Sequence, residues 1–543
     1  MKTKRTKEDQ NNLKNLLKLD HTLYGGILFG LDGYMIEVQA RAMEVLPNPL
    51  PWTSVTSISG MAAEPVKEST TRIAGAFAKM QIPDPEVSIQ INLSPASLPK
   101  LGCWLDLPIA IIMLQAAGFL PDLPETIEHK FILMGEIGLH GNIRRVPGAL
   151  YVAFIAKPGQ SLIVPSGNEK ECALILAKSG YDGCRVFPVS KIDEVVEYFK
   201  GQRILENALK KEIQFEQIIP KAIDFGLIHG QDKAKEAAII AAAGAHNLLL
   251  IGPPGEGKSL LASAMAGILP RLNNEEKVEI TKIYSAYGAL DHDGQAVTRR
   301  PFRSIHHTVS KEALVGGGSK IPRMGEITLS HYGILFLDEI AEFSRGTLEA
   351  LRQPMESGEI TISRVGASIT YPCRFTLVAA MNPCPCGYYG TEQCTCNERA
   401  INTYQKKLSG PLLDRIDLQV ELKHLSTEER FAPIQEDQSK IIRSNIESAR
   451  ERQRKRYQGM DIPHNAAIPG GRVQEYCKFS EQGFESYKKL IDQNLISTRS
   501  MDRLAKVSRT IADLACCDEI QPQHVSKAAS FVIGGILRTF NEE

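Results

Sequence analysis

Apolar residues follow two rhythms along the chain, and the change between them divides it. Between about residues 20 and 200, short β-like runs (86–93, 131–134, 161–164) are interleaved with helical stretches. The pattern predicts an α/β domain over 25–200, preceded by an extension at 1–24. A charged stretch, 201–220, reads as a linker. From 221 to 425 the strand-like runs are apolar throughout (248–251, 333–337, 375–381) and alternate with helices. Unbroken apolar strands need cover on both faces, so this region predicts a parallel sheet between helical layers. Residues 359–370 read as a hairpin turning at Val365 and Gly366, with Arg364 near its tip. Beyond 425 the chain is mostly helical with Arg/Lys-rich faces, giving a third domain at 426–543. The fold class expected is α/β.

A chain of 543 residues is too long for one core, which agrees with several domains. Lys+Arg and Asp+Glu both number 63, so bulk charge identifies no partner and any nucleic-acid contact must rest on local patches. The basic N-terminus lacks an apolar signal core. No run reaches the roughly 18 apolar residues of a membrane span. A cytoplasmic protein is expected.

Chemistry concentrates after the run 248–251. Gly252, Pro253, Pro254, Gly255, Glu256, Gly257, Lys258 and Ser259 form a complete phosphate loop, and Leu260 continues into a helix. Its glycines let backbone N–H groups surround phosphate oxygens at a helix N-terminus. ATP is the implied ligand, with Lys258 on the β- and γ-phosphates and Ser259 on Mg²⁺. Asp338 and Glu339 end the apolar strand 333–337, where parallel sheets bind ligands. Asp338 suits ordering Mg²⁺ through water, and Glu339 suits the general base that polarises the attacking water. Asn382, after the strand 375–381, is placed to reach the γ-phosphate or the water. Arg415 could present its guanidinium to an adjacent subunit, and Arg499 could reach back from the helical domain.

Cys384, Cys386, Cys394 and Cys396 form two close pairs joined by a short loop, a spacing that can close around one tetrahedral Zn²⁺. Four thiolates leave no open position for substrate, so the expected ion is structural. The other seven cysteines, Cys516 and Cys517 among them, read as small buried apolar residues.

The phosphate loop, residues 300–308, 313–319, 325–327, 333–340 and 381–387 together resemble the magnesium-chelatase-like YifB/ComM family over roughly residues 25–535. The resemblance implies a helix-2-insert AAA+ ATPase, related to magnesium-chelatase subunits and minichromosome-maintenance helicases and working as a homo-hexameric ring. It makes Asn382 sensor 1, Arg415 the arginine finger and Arg499 sensor 2, with Arg503 the nearby alternative. The activity it implies is DNA branch migration in recombination and natural transformation. This chain has Ile305 where the family usually carries proline, and Arg323-Met324 where a proline-rich turn is usual.

Eighty positions separate Lys258 from Asp338, room for an inserted element. That stretch carries Arg299, Arg300, Arg303, His306, His307, Lys320 and Arg323 around three consecutive glycines. With Arg364, Lys320 and Arg323 are the expected contacts to a DNA backbone passing through a ring. A motor that remodels a protein partner is the second reading.

Residues 85–165 resemble the Lon protease domain, but the nucleophile position falls on Trp104 and the lysine position on Val152. Neither can replace an amine-activated hydroxyl, so no protease is expected. Cys103, lacking a base, would keep its proton.

Overall fold

The computed structural model describes residues 7–60, 62–100, 102–121, 123, 130–210, 223–290, 296–318, 322–364, 367–434, 436–494 and 497–533. They cluster into two compact units. One is Met1–Glu216 with Lys277–Val297, and the other is Gln217–Glu276 with Thr298–Glu543. The phosphate-loop region and the C-terminal helices therefore share one unit, whereas 277–297, inside the stretch read as one ATPase domain, groups with the N-terminal residues.

The first unit is built on a seven-stranded mixed sheet. Its order is Thr56–Ser59, Val87–Ser94, Asp32–Val45, Asp20–Phe29, Phe131–Leu133, Ser161–Pro165 and Arg185–Val189. Asp20–Phe29 pairs along its whole length with Asp32–Val45, so the sheet begins inside the stretch 1–24 read as an extension. Alternation sends Phe131, Leu133 and Ile163 into one core and Ile132, Leu162 and Val164 into another, so both faces are covered. Helix Asp106–Ala116 is buried at every residue, which accounts for its apolar character on all sides.

Trp104 and Val152, the positions aligned with Lon's catalytic pair, belong to the same apolar cluster. Val152 is wedged against the sheet so closely that a Cβ on Gly26 would lie 2.2 Å from it. Trp104 spends its indole N–H on the Pro147 carbonyl at 2.7 Å. Burial and Asp106 push the Cys103 thiol up, although Arg72 lies 3.3 Å from its sulfur, and the thiol keeps its proton.

The second unit holds a five-stranded sheet in the order Phe302–Ile305, Ile334–Leu337, Thr376–Met381, Leu248–Ile251 and Leu418–Glu421, every neighbouring pair parallel. The three central strands are buried throughout. Ala237, Ala238, Ala241 and Ala242 of helix Asp232–Gly244 pack with Leu250, Val378 and Val420. Small side chains there let helix and sheet approach closely, while each buried Leu or Ile contributes about 1.5–3 kcal/mol. Parallel pairing has a direct functional result: the loops after all five strands leave from one edge. The expected hairpin is present, Glu359–Arg364 pairing with Ala367–Pro372; its turn lies outside the described residues.

Candidate functional site

Gly255 and Gly257 take φ of 82° and 86°, left-handed values open to glycine at little cost, and the loop turns directly into helix Lys258–Ile268. Lys258 Nζ donates to the carbonyls of Gly252 at 2.6 Å and Pro253 at 2.7 Å, and to Asn382 Oδ1 at 3.1 Å. Burial lowers the Lys258 ammonium from its usual range, opposed by Asp338, Glu256 and Glu339. Register explains the Asn382 contact: Ile251 lies opposite Met381, so the next residue on each chain is also adjacent.

Ser259 Oγ donates to Asp338 Oδ2 at 2.8 Å. A hydroxyl beside a carboxylate offers the oxygen donors that Mg²⁺ and its bound waters prefer. Glu339 is held with φ 50° and ψ 47°, an unusual backbone for a residue with a side chain, which turns its carboxylate off the strand line.

Several arrangements here were not legible in the sequence. Glu256 is buried, accepting from His424 Nδ1 at 2.6 Å and from Arg430 at 3.2 Å. His307 stands beside Glu339, its Nδ1 3.1 Å from Oε2. The strand register brings them together, because Ile305 pairs with Leu337 and each residue lies two positions beyond its partner.

Arg415 follows the short helix Gly410–Leu413 and lies apart from this constellation. Its guanidinium donates to the Pro411 carbonyl at 2.5 Å and to Glu356 Oε1. It lines a cleft of about 620 Å³ together with Glu356, Arg374, Asp414, Arg450 and Arg499, and no phosphate-loop residue lines that cleft. Arg499, expected to reach back toward its own chain's nucleotide, is exposed and lies 3.7 Å from Asp414, beside Arg415. Arg503 is buried and spends its guanidinium on the carbonyls of Leu413 at 3.1 Å and Ile416 at 2.8 Å. Arg503 thus fixes the turn that carries Arg415, and of the two arginines only Arg499 retains an exposed guanidinium.

Of the basic residues in the inserted stretch, Arg300 and Arg303 are committed to structure. Arg300 Nη2 donates to both carboxylate oxygens of Glu276 at 2.8 and 2.9 Å, and Arg303 makes a bidentate pair with Glu326 at 2.7 and 2.9 Å. Arg323 and Arg364 are exposed and converge on the glycines: Arg323 pairs with Gly317, and Arg364 Nε donates to the Gly318 carbonyl at 2.7 Å. Gly316 sits at φ 107° against Ile362, where a Cβ would lie 2.3 Å from that side chain. Lys320 lies outside the described residues.

The four clustered cysteines converge, with Cys384 Sγ 3.3 Å from Cys386 Sγ and 3.9 Å from Cys394 Sγ, and Cys386 Sγ 3.7 Å from Cys394 Sγ. Four thiolates at about 2.3 Å from one Zn²⁺ stand at nearly these separations. The N–H groups of Tyr388 and Thr395 bring the Cys386 thiol down to about 6, while Cys396 is pushed up to about 11 through its Cys386 and Cys384 neighbours and partial burial. The cluster adjoins the phosphate loop, since a Cβ on Gly387 would meet Pro254 at 2.7 Å. Of the remaining cysteines, Cys172, Cys184, Cys373 and Cys477 are buried as expected. Cys516 is exposed and Cys517 half-buried, because helix Thr498–Leu514 ends before them.

Among the described residues no helix is long and apolar enough to cross a membrane. Three family descriptions match the chain: magnesium chelatase subunit ChlI over residues 224–430, its C-terminal part over 436–531, and subunit ChlI of Mg-chelatase over 51–168. YifB of Escherichia coli strain K12 is 40% identical over 513 residues, covering 92% of this chain and 95% of that protein. The competence protein ComM of Haemophilus influenzae is 38% identical over 487 residues, covering 88% of this chain and 91% of that protein. The magnesium-chelatase 38 kDa subunit of Rhodobacter capsulatus is 29% identical over 177 residues, 29% of this chain and 50% of that subunit.

Proposed function

The chain belongs to the YifB/ComM family of magnesium-chelatase-like AAA+ proteins, and from that premise we propose that it is a cytoplasmic, ring-forming ATPase that moves branched DNA. The observation that carries the ATPase reading is the meeting of Lys258, Ser259, Asp338, Glu339 and Asn382 at one edge of a parallel sheet. In this reading Lys258 holds the β- and γ-phosphates and exchanges its carbonyl partners for them. Ser259 and Asp338 would hold Mg²⁺, which when bound would offset the charge of the triphosphate. Asn382 orients the attacking water, and Glu339 accepts its proton.

Half of the proposed site comes from a second copy. Arg415 and Arg499 share a cleft that contains no phosphate loop, so their guanidinium groups serve the triphosphate of the adjoining subunit in a hexamer. A charge-compensating arginine supplied this way makes hydrolysis conditional on assembly.

Support for DNA as the cargo comes from two exposed arginines beside the Gly316–Gly318 segment, Arg323 as its strand neighbour and Arg364 through its side chain, and from the resemblance to ComM. Forked DNA, single strands and no DNA are to be compared in steady-state ATP turnover. Forked DNA should raise the rate several-fold, and Arg323→Ala with Arg364→Ala should weaken the stimulation in a salt-dependent manner. A rate indifferent to every DNA form would favour the second reading, remodelling of a protein partner, which the similarity to a magnesium-chelatase subunit supports.

The cysteine cluster is proposed to hold one structural Zn²⁺ against the phosphate loop. Metal analysis of the purified protein should give one zinc per chain, falling to none in Cys394→Ser/Cys396→Ser. Affinity should rise with pH, because the thiols must lose their protons to ligate the cation. Wild-type protein without zinc, and unchanged by the double substitution, would remove the site.

A further inference from the structure

Two imidazoles meet the Glu339 carboxylate in an arrangement that ATP hydrolysis does not require. His307 Nδ1 is shielded from water and forms no aligned hydrogen bond, yet it lies 3.1 Å from Glu339 Oε2. An imidazole nitrogen and a carboxylate oxygen, both electron-pair donors, thus stand in close approach. A turn closed by the Val309 N–H on the His306 carbonyl at 3.1 Å folds His306 back over its neighbour, with ring centroids 4.0 Å apart. One donor atom from each of His306, His307 and Glu339 then lies within 4.8 Å of the other two. His306 Nδ1 is also 3.2 Å from Thr308 Oγ1, a contact that steadies the ring and leaves Nε2 as a ligand atom.

We propose that His306, His307 and Glu339 form a binding site for a divalent transition-metal ion of the Co²⁺, Ni²⁺ or Zn²⁺ type, and that the bound ion inhibits the ATPase by occupying Glu339. Two imidazoles and one carboxylate form a donor set that these ions favour. The separation of 3.1 Å between His307 Nδ1 and Glu339 Oε2 is that of neighbouring ligands on one ion bonded at about 2.0–2.2 Å. Mg²⁺ prefers oxygen ligands, so the two cations do not compete on equal terms: Ser259 with Asp338 suits the first, the histidine pair the second. The inhibitory half of the proposal rests on Glu339 acting as the base, as proposed above; the binding half does not.

Co²⁺ separates the two halves. Full-length protein with its cysteine cluster already filled with zinc is titrated with Co²⁺ in excess Mg²⁺, following visible d–d absorption and ATP turnover together. Wild type should show a saturable band without thiolate charge transfer, and turnover should fall in step with it. His306→Ala should keep its metal-free turnover and need at least about tenfold more Co²⁺ for both effects, since even outer-shell changes cost 10–100-fold in affinity. His306→Gln serves the same purpose should the alanine variant fail to fold. Identical titrations in wild type and variant, or a spectrum dominated by thiolate bands, would overturn the site. Binding that is lost in the variant but never slows turnover would overturn the inhibition alone. A protein with no ATPase activity would still report the site through its absorption.

Discussion

Arg415→Ala protein should bind ATP as tightly as wild type and turn it over about 10³-fold more slowly, a barrier increase of about 4 kcal/mol. The magnitude follows from the charge that develops on the transferring phosphoryl group, which a guanidinium meets at two points and no neutral side chain can replace. The placement follows from the cleft. Arg415 sits with Arg499 and Asp414, buttressed by Arg503, while the phosphate loop lies elsewhere in the same unit. Mixing gives the decisive measurement. Lys258→Ala subunits lack a working loop and Arg415→Ala subunits lack the arginine, so assemblies containing both regain sites in which each partner supplies what the other lost. Recovery of turnover on mixing is the expected outcome. Full activity of Arg415→Ala alone, or no recovery, would mean that the arginine serves no neighbour.

Glu339→Gln should retain nucleotide binding and lose turnover by about 10²–10⁴-fold, the range a positioned base contributes. Glutamine keeps the shape and one acceptor oxygen but cannot take a proton from water. The left-handed backbone at this residue holds the side chain off the strand, and nothing in the substitution disturbs it. Binding is read with a fluorescent nucleotide and hydrolysis by phosphate release, and Lys258→Ala should fail in the first assay as well as the second. Turnover within a few-fold of wild type would transfer the role of base to another group.

The nucleotide half of the site was legible because its signals are local. Apolar runs such as Leu248–Ile251 cannot face water, glycines at positive φ mark a loop that must turn tightly, and acidic residues after a buried strand have one edge to occupy. Asn382 was legible as the residue after the apolar run 375–381, and the strand register that sets it beside Gly252 is seen in the structure. What stayed hidden depends on partners far apart in sequence. Nothing local says that Arg300 and Arg303 are spent on Glu276 and Glu326, so both read as part of a basic loop until the ion pairs are seen. The same holds for Arg499 and Arg503: equivalent on one helix by spacing, they are separated by burial, which assigns one to backbone carbonyls and leaves the other exposed. The start of the first sheet was missed for a different reason. Asp20–Phe29 opens with the polar residues Asp20, His21 and Thr22, so its start looks like a tail although His21 is buried.

Glu256 raises a question that the loop pattern alone does not, because a carboxylate within a phosphate cradle ought to repel a ligand carrying several negative charges. Its oxygen is instead shared between His424 and Arg430, and the group is almost wholly withdrawn from solvent. At the low effective dielectric of such a position, the arginine's unit charge largely cancels the field of the acid. In the proposed reading an incoming triphosphate would therefore meet the amides and Lys258 with the charge of Glu256 partly offset. The residues that secure this quiet lie on the segment leaving the last strand, so the loop's affinity for anions is guarded by the stretch of chain that leads into the helices beyond it.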